Sequence, residues 1–295
     1  MATRKDTLFE QFLAPIFSRL LDREALLRYR NSIDWQAATA ALQNPQVAYP
    51  NYYQTAHFHG IEGGYLTPDA AVTYDPITQH VLPPGENWVR EHAVKTLQGT
   101  PRRILDLGCG TGSTTLMLKQ TFPTSEVIGL DLSPHMLVVA QDKAQQAGLA
   151  VQFIHGNAME TGLPPASFDV VTASLLFHET PTEVACTILK EAFRLLTAGG
   201  QVMILDGNQH TLRRADWLTN IFEEPYIQDY ARGSVDAWMG AAGFEAVQTE
   251  DFWWLHQISR AQKPLPAGIS VVSQSGVEAT WNDGFSAGSS APMPA

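Results

Sequence analysis

The sequence predicts an α/β protein built on a seven-stranded, mostly parallel sheet with helices on both faces. Short apolar segments alternate with amphipathic helical segments through the middle of the chain, as in parallel sheets. A glycine-rich string, Gly108-Cys-Gly-Thr-Gly112, lies between the first apolar segment and the helix that follows it. Two β-rich segments close this region with too few residues between them for a crossover helix, so we expect an antiparallel pair at the end.

The chain begins with segments that we expect to be helical. Apolar pairs recur from Leu8 to Leu21 on one broad stripe of a helix, and Pro15 interrupts that pattern. A short helix is predicted from Asp34, as the N-cap, to the stop at Pro45.

Residues 45–85 show neither a helical nor a strand period, yet they are rich in Tyr, Phe and His. Linkers are normally polar, so we interpret this stretch as a lid or binding loop without regular elements. The alternative is that its aromatic side chains pack the N-terminal helices onto the next domain. Residues 1–85 therefore form an N-terminal helical and lid extension in this interpretation, residues 86–260 the main domain, and residues 261–295 a low-complexity, flexible tail.

From Glu86 the pattern becomes regular, and each element follows from apolar periodicity and from helix start signals such as Ser133-Pro134. The predicted elements are helix 86–98, strand 103–107, a helix from 113, strand 126–132, helix 134–147, strands 151–154 and 168–173, helix 181–197, strand 201–206, a helical stretch 211–242, and β-rich segments 244–249 and 252–259.

Composition excludes several classes of protein. The chain has 44% hydrophobic and 17% charged residues, which excludes a mainly disordered protein. Its 19 basic and 30 acidic side chains give a net charge of −11, which argues against nucleic-acid binding and against docking on anionic lipid. Two cysteines provide no disulfide framework, and neither a secretory signal nor a run of about 18 apolar residues is present, so we expect a cytoplasmic protein.

The glycine string predicts a ligand site at the end of the first strand. Glycines allow a tight turn and a close approach of the ligand to the backbone, and the following helix offers free N–H groups. Asp106 lies inside this motif, where a carboxylate would repel a pyrophosphate and attract an ammonium or sulfonium group. The third glycine of a dinucleotide-binding pattern would fall at Ser113, and no P-loop is present. The expected ligand carries a positive charge, a carboxylate and a sugar.

Asp131 ends the second predicted strand, just before the helix start at Ser133-Pro134. An acidic residue in this position is suited to accept hydrogen bonds from both ribose hydroxyls. The alternative is a surface Asp near a helix N-terminus.

Four strings resemble the successive motifs of class I S-adenosylmethionine-dependent methyltransferases: ILDLGCGTG, VIGLDLS, GNAMETGLPPASFDVVTASLLFHE and LKEAFRLLTAGGQVMILD. The resemblance covers about residues 86–259 and is strongest to the small-molecule group that includes quinone and tocopherol methyltransferases. It implies a Rossmann-like sheet with an antiparallel last strand, S-adenosyl-L-methionine as cofactor, and a small-molecule acceptor.

The resemblance also implies cofactor contacts for individual residues. They are Asp106, Gly108, Gly110 and Ser174 beside the methionine part, Gly112 at the helix start behind it, Asp131 on the ribose hydroxyls, Leu132 on the adenine, and Asn157 and Ala158 at the adenine edge. Many relatives have Asp in place of Asn157, and an amide can still donate or accept a hydrogen bond there.

His178 is the predicted general base, because imidazole titrates near neutrality and the residue follows the fourth predicted strand. A His satisfied by structural hydrogen bonds is the alternative. Thr180 to Glu183 reads as a capping box at the next helix. We expect Glu179 to face solvent, and the alternative is that it orients His178.

Two further histidines raise the question of a metal. His57 and His59 would point to one face of an extended segment, but no Cys or carboxylate cluster accompanies them, so we predict no metal. We place them instead in the acceptor pocket, with Tyr52 and Tyr53 as aromatic walls.

The sequence thus predicts methyl transfer to an O, N or C atom of a small molecule, by in-line alignment with general-base help. The alternative is a regulatory or scaffold protein that binds the cofactor without methyl transfer. The acceptor and the oligomeric state stay open.

Overall fold

The computed structural model of the chain describes residues 22–55, 58, 63–81, 85–215 and 225–266. The predicted first helix with Pro15, the histidines His57 and His59, and the tail beyond residue 266 lie outside these ranges. The elements below belong to a compact unit that ends at Pro264. Among the described helices, none has the length and apolar character needed to cross a membrane.

The described strands form one seven-stranded sheet in the order β3-β2-β1-β4-β5-β7-β6. Strands β1 to β5 pair in parallel, and β7 runs antiparallel to both of its neighbours, which confirms the predicted fold class. The strands are β1 Arg103–Leu107, β2 Glu126–Asp131, β3 Gln152–His155, β4 Phe168–Ser174, β5 Leu196–Gly207, β6 Glu245–Phe252 and β7 His256–Gln262.

The described helices flank this sheet. They are α1 Arg23–Ser32, α2 Trp35–Leu42, α3 Asn51–Thr55, α4 Pro68–Val81, α5 Glu86–Lys95, α6 Ser113–Thr121, α7 Pro134–Gln146, α8 Thr182–Leu195, α9 Gln209–Arg214, α10 Ile227–Arg232 and α11 Val235–Ala242.

Local signals explain where several helices begin. The Asp34 carboxylate accepts a hydrogen bond from Ala37 N at 3.1 Å, so the predicted cap of α2 is confirmed. Ser133 caps α7 with Pro134 in its first turn, also as predicted. The predicted helical stretch 211–242 is wrong as a continuous element, because Asn208 and Ser234 act as separate N-caps and start new helices at α9 and α11.

The expectation that residues 45–85 lack regular elements is also wrong, since α3 and α4 lie within this stretch. Pro68 is tolerated because it opens α4, and the Thr67 hydroxyl accepts a hydrogen bond from Ala70 N at 3.2 Å. Pro76 lies inside α4, where proline removes a backbone donor, and this hid the helix in the sequence pattern.

The N-terminal segment packs on the main domain through aromatic side chains. Phe58 and Tyr65 form a buried cluster with Met136 and Val139 of α7. The Tyr29 hydroxyl donates to Asp142 at 2.7 Å on the same helix. The segment therefore lies over the edge of the sheet at which the parallel strands end.

Candidate functional site

A cavity opens at the carboxyl ends of β1, β2 and β4. This is where ligands bind in open α/β sheets. Its lining includes the glycine turn, the residues after the strands and five aromatic rings: Gly108, Gly110, Asp131, Leu132, Asn157, Ala158, Ser174, Leu176, Glu179, Tyr52, Tyr53, Phe58, Tyr65 and Tyr74.

The three glycines of the turn have positive φ, and each meets a different environment. A Cβ atom on Gly108, at φ +64°, would lie 2.8 Å from the Leu176 side chain, and one on Gly112, at φ +78°, would lie 3.0 Å from Ala140 Cβ. A Cβ atom on Gly110, at φ +53°, would meet nothing within 4 Å. Gly108 and Gly112 therefore permit close packing, whereas Gly110 borders the open cavity.

Asp106 lies behind the turn. Its buried carboxylate accepts hydrogen bonds from Thr172 Oγ1 at 2.8 Å and Thr115 Oγ1 at 2.7 Å, so it ties β1 to β4 and α6. Burial raises the pKa of Asp106, and the two threonine hydrogen bonds oppose that rise. The contacts present hold the turn in shape, and contact with a cofactor stays a prediction.

Asp131 closes β2 and faces the cavity. Its carboxylate accepts hydrogen bonds from Gly110 N at 2.8 Å and Ser133 N at 2.7 Å, which links the glycine turn to the start of α7. Burial raises the pKa of Asp131 to about 6, although both backbone hydrogen bonds lower it. Leu132, Asn157 and Ala158 line the cavity on the same side.

Ser174, at the end of β4, lines the cavity with a buried Oγ that has no hydrogen-bond partner within the described ranges. Buried polar atoms are normally paired, so this hydroxyl fits a ligand with a polar group on that side. An extended ligand with a sugar near Asp131 and an amino-acid end near Ser174 would match the donors and acceptors present. Asp131, Gly110 and Ser174 thus fit the cofactor that the resemblance implies, whereas Asp106 and Gly112 are not among the residues that line the cavity.

Five aromatic side chains wall the cavity from the N-terminal side. Phe58 and Tyr65 stack with their ring centroids 5.2 Å apart, and Tyr52 meets Tyr53 edge to face at 6.3 Å. Burial raises the pKa of Tyr52 and of Tyr53, so both phenols stay protonated at neutral pH. Tyr52 and Tyr53 lie in the cavity wall, and their contact with an acceptor stays a prediction.

Tyr65 joins the two sides of the cavity. Its backbone oxygen accepts a hydrogen bond from Ser133 Oγ at 2.7 Å, and its hydroxyl donates to Glu179 Oε1 at 2.6 Å. Glu179 is buried, so the expectation that it faces solvent is wrong. The partner that buries it comes from a segment 114 residues away, which no local pattern reveals.

His178 lies in a 3₁₀ turn, Phe177–Glu179, and pairs with a residue that the sequence analysis missed. Its Nδ1 is 2.6 Å from Asp206 Oδ1 at the end of β5, and Asp206 Oδ2 accepts a hydrogen bond from Phe177 N at 2.7 Å. The only sequence signal was the position of Asp206 at the end of a predicted strand.

The predicted capping box is wrong. Helix α8 begins one residue later, with Pro181 as its N-cap and no side-chain cap. The Thr180 hydroxyl donates instead to Phe177 O at 3.1 Å, which stabilises the turn that carries His178.

The structure provides no cluster of three or more His, Cys, Asp or Glu side chains for a metal in the ranges it describes. His57 and His59 lie outside those ranges, so neither a ligand role nor a pocket role for them is tested.

Comparison with known proteins identifies a methyltransferase domain within the chain. Residues 104–200 match the family described as a methyltransferase domain. The chain is similar to demethylmenaquinone methyltransferases, with 42% identity to the Lactococcus lactis protein over 157 residues (52% of this chain, 58% of that protein) and 38% to the Thermus thermophilus protein over 119 residues (40% and 53%). It therefore spans only about half the length of the relatives it matches.

Solved structures share the fold. An O-methyltransferase family protein from Burkholderia thailandensis is 16% identical, with a TM-score of 0.54 over 67% of this chain and 60% of that one. Phosphoethanolamine N-methyltransferase 2 from Haemonchus contortus, solved with S-adenosyl-L-methionine, is 17% identical, with a TM-score of 0.53 over 74% of this chain and 61% of that one. These likenesses are to the fold, which in this chain is the seven-stranded sheet with an antiparallel β7, and they agree with the match of residues 104–200 to a methyltransferase domain.

Proposed function

We propose that this chain transfers the methyl group of S-adenosyl-L-methionine to an O, N or C atom of a small-molecule acceptor. The proposal rests on the observation that one cavity has a polar edge on one side and an aromatic wall on the other. Asp131, which accepts a hydrogen bond from Gly110 N, forms an edge suited to the ribose of the cofactor, and the aromatic rings of the N-terminal segment close the same cavity from the other side. A site that only bound the cofactor would not need this second wall.

Within this proposal, the cofactor lies along the strand ends. Asp131 accepts hydrogen bonds from the ribose hydroxyls, Leu132 and Ala158 contact the adenine, and Ser174 Oγ binds the methionine end. The cofactor supplies a methyl group on a sulfonium sulfur, which is already activated toward a nucleophile. The chain contributes alignment of the acceptor and removal of its proton.

His178 is the proposed proton acceptor. The hydrogen bond between its Nδ1 and Asp206 favours the tautomer with the lone pair on Nε2, which lies 4.0 Å from Glu179 Oε1, and this nitrogen is the one proposed to take a proton from an acceptor hydroxyl or amine. Asp206 has the supporting position of the carboxylate in a catalytic triad. The alternative is that the pair only braces the ends of β4 and β5.

Tyr52 and Tyr53 are proposed to form the acceptor wall, and His57 and His59 are proposed to bind the acceptor. The relatives are named for demethylmenaquinone, an apolar quinone, and an aromatic wall suits a flat acceptor of that kind. The proposed location of the protein is the cytoplasm. No nucleic-acid partner is proposed.

The alternative function is cofactor binding for regulation or as a scaffold. Purified chain is incubated with S-adenosyl-L-methionine and a metabolite extract, with demethylmenaquinone as one defined acceptor, and S-adenosylhomocysteine is measured. Product above the Asp131→Ala background supports the enzyme. Cofactor binding without product in any fraction favours the regulatory alternative.

A further inference from the structure

We propose that Asp75 is a positioning residue for the cofactor: it reaches from α4 to the centre of the glycine turn and holds that turn in the shape that binds the ligand. The N-terminal segment thereby contributes to cofactor affinity as well as to the aromatic wall of the cavity. This inference rests on the proposed function, because it takes S-adenosyl-L-methionine as the ligand of the cavity.

Asp75 contacts the glycine turn through its side chain. Its Oδ1 accepts hydrogen bonds from Thr111 Oγ1 at 2.5 Å and from Ser113 Oγ at 3.3 Å. Thr111 stands between the second and third glycines of the turn, is buried, and lines the cavity, as Ser113 does. The carboxylate that binds this threonine therefore comes from a residue 36 positions earlier in the chain, on a helix outside the main domain.

Lys143 of α7 orients the Asp75 carboxylate. Its Nζ donates to Asp75 Oδ2 at 2.6 Å and to Ser113 Oγ at 2.9 Å, so one ammonium group connects α4, α7 and the start of α6. With Oδ2 held by Lys143, Oδ1 faces Thr111. The opposite charge also favours the ionised form of the carboxyl, which is the stronger hydrogen-bond acceptor.

The centre of the turn depends on such contacts more than its ends do. The first and third glycines pack closely against neighbouring side chains, whereas a Cβ atom on Gly110 would meet nothing within 4 Å. Two carboxylates hold this central part: Asp131 accepts from Gly110 N, and Asp75 accepts from Thr111 Oγ1. A shift of Thr111 would displace the neighbouring Gly110 and so disturb the hydrogen bond that orients Asp131, the proposed ribose-binding residue.

The helix that carries Asp75 also carries part of the aromatic wall. Tyr74, the preceding residue in α4, lines the cavity and meets Tyr65 edge to face, with the ring centroids 5.8 Å apart. The contacts of Asp75 therefore hold one ring of the aromatic wall and the cofactor turn in a fixed arrangement. Methyl transfer needs such an arrangement, because the acceptor has to be aligned with the cofactor.

An Asp75→Ala variant removes the charge and the hydrogen-bond acceptor, and alanine is a good helix former at this position. Binding of S-adenosyl-L-methionine and of S-adenosylhomocysteine, measured by calorimetry, should weaken roughly tenfold, as the loss of one hydrogen bond to a charged group predicts. Asp69→Ala is the matched control, since Asp69 lies on the same helix and pairs with Arg30 of α1 instead of with the turn. Its affinity for both ligands should stay within about twofold of the parent.

Thr111→Val tests whether Asp75 acts through the threonine. Valine keeps the branched shape and removes the hydroxyl that donates to Asp75, so cofactor binding should weaken by a similar factor. Adding Asp75→Ala to Thr111→Val should cause little further loss, because the two residues act in one contact. Thr111→Ser restores the hydroxyl and should recover most of the affinity lost in Thr111→Val, so this pair of variants carries the same test if Asp75→Ala does not fold.

Hydrogen exchange in residues 108–113 of the ligand-free chain gives a readout that does not depend on cofactor. Exchange there should be faster in Asp75→Ala than in the parent, and it should be unchanged in Asp69→Ala. Together with weaker, non-additive cofactor binding in Asp75→Ala and Thr111→Val, this result supports the inference.

Three results overturn the inference while the proposed function stands: affinity in Asp75→Ala like that of the parent, equal weakening in Asp75→Ala and Asp69→Ala, or fully additive losses in the double variant. The second of these is expected if Asp75 only stabilises the packing of the N-terminal segment. Failure of the parent chain to bind S-adenosyl-L-methionine overturns the proposed function, and this inference with it.

Discussion

Replacing Asp131 with Asn should stabilise the fold at neutral pH and weaken the cofactor site at the same time. Burial raises the pKa of this carboxyl from 3.8 to about 6, so the folded chain holds the proton more tightly than the unfolded chain does. A group of this kind stabilises the fold fully below the unfolded pKa, and its contribution is lost as the pH rises through about 6.

The magnitude follows from the two pKa values. The shift from 3.8 to about 6 is roughly two units, and at about 1.4 kcal/mol per unit the ionised form costs on the order of 3 kcal/mol. The Asn side-chain oxygen can still accept one or both of the hydrogen bonds from Gly110 N and Ser133 N. Because these hydrogen bonds become weaker or one of them is lost, the variant loses about 1–2 kcal/mol of stability. At pH 7.5 the variant should therefore be about 1–2 kcal/mol more stable than the parent, and at pH 4 less stable by a similar amount.

Denaturant unfolding at several values between pH 4 and pH 7.5 measures this difference, with exposed Asp251→Asn as the control for the loss of one acidic charge. Calorimetry on the same variant should show cofactor affinity lowered by about 1–3 kcal/mol, because charge-assisted hydrogen bonds to the ribose are lost. Stability that differs from the parent by the same amount at every pH would refute the electrostatic reasoning. Unchanged affinity would refute the ribose assignment.

The remaining predictions concern the turn, the base and the segment over the site. Gly112→Ala should cost about 1–3 kcal/mol of stability because its Cβ would crowd Ala140. Gly110→Ala should cost about 1 kcal/mol of stability and should chiefly reduce cofactor affinity. Thermal unfolding measures the loss of stability in each variant, and calorimetry measures the loss of affinity. His178→Ala should lower kcat ~10²–10⁴-fold at saturating acceptor with little change in cofactor affinity, and a kcat within a fewfold of the parent would remove His178 from the mechanism. Hydrogen exchange in residues 45–85 should slow when S-adenosylhomocysteine binds, and equal exchange in both states, even with acceptor present, would leave these residues a packing role alone.

The sequence was sufficient for the parts of the site that depend on local signals. The turn between β1 and α6 was predictable because glycines of positive φ follow an apolar strand, and Asp131 because it ends a strand just before a capped helix. The antiparallel last strand followed from the short connection between two β-rich segments.

The rest depends on contacts between residues far apart in the chain. The sequence pattern did not reveal helix α4 because Pro76 interrupts its helical period. The helix is stabilised by the tertiary contacts of Ala70 and Ala71, which the sequence does not show. The burial of Glu179 is determined by Tyr65, and the orientation of His178 by Asp206, 28 residues further along the chain. Such partners can be identified only when the fold brings them together.

The packing of the N-terminal aromatic residues on α7 also sets an order of events during synthesis. Phe58 and Tyr65 are made before Met136 and Val139, the residues that bury them. Helix α7 ends at Gln146, so 146 − 58 = 88 further residues must be added after Phe58 before the whole helix is available. At ~5–20 residues per second, the ribosome takes about 4–18 s for this step. Throughout that interval the nascent chain carries an apolar aromatic surface without its partner, which makes this protein a candidate for chaperone binding before its sheet is complete.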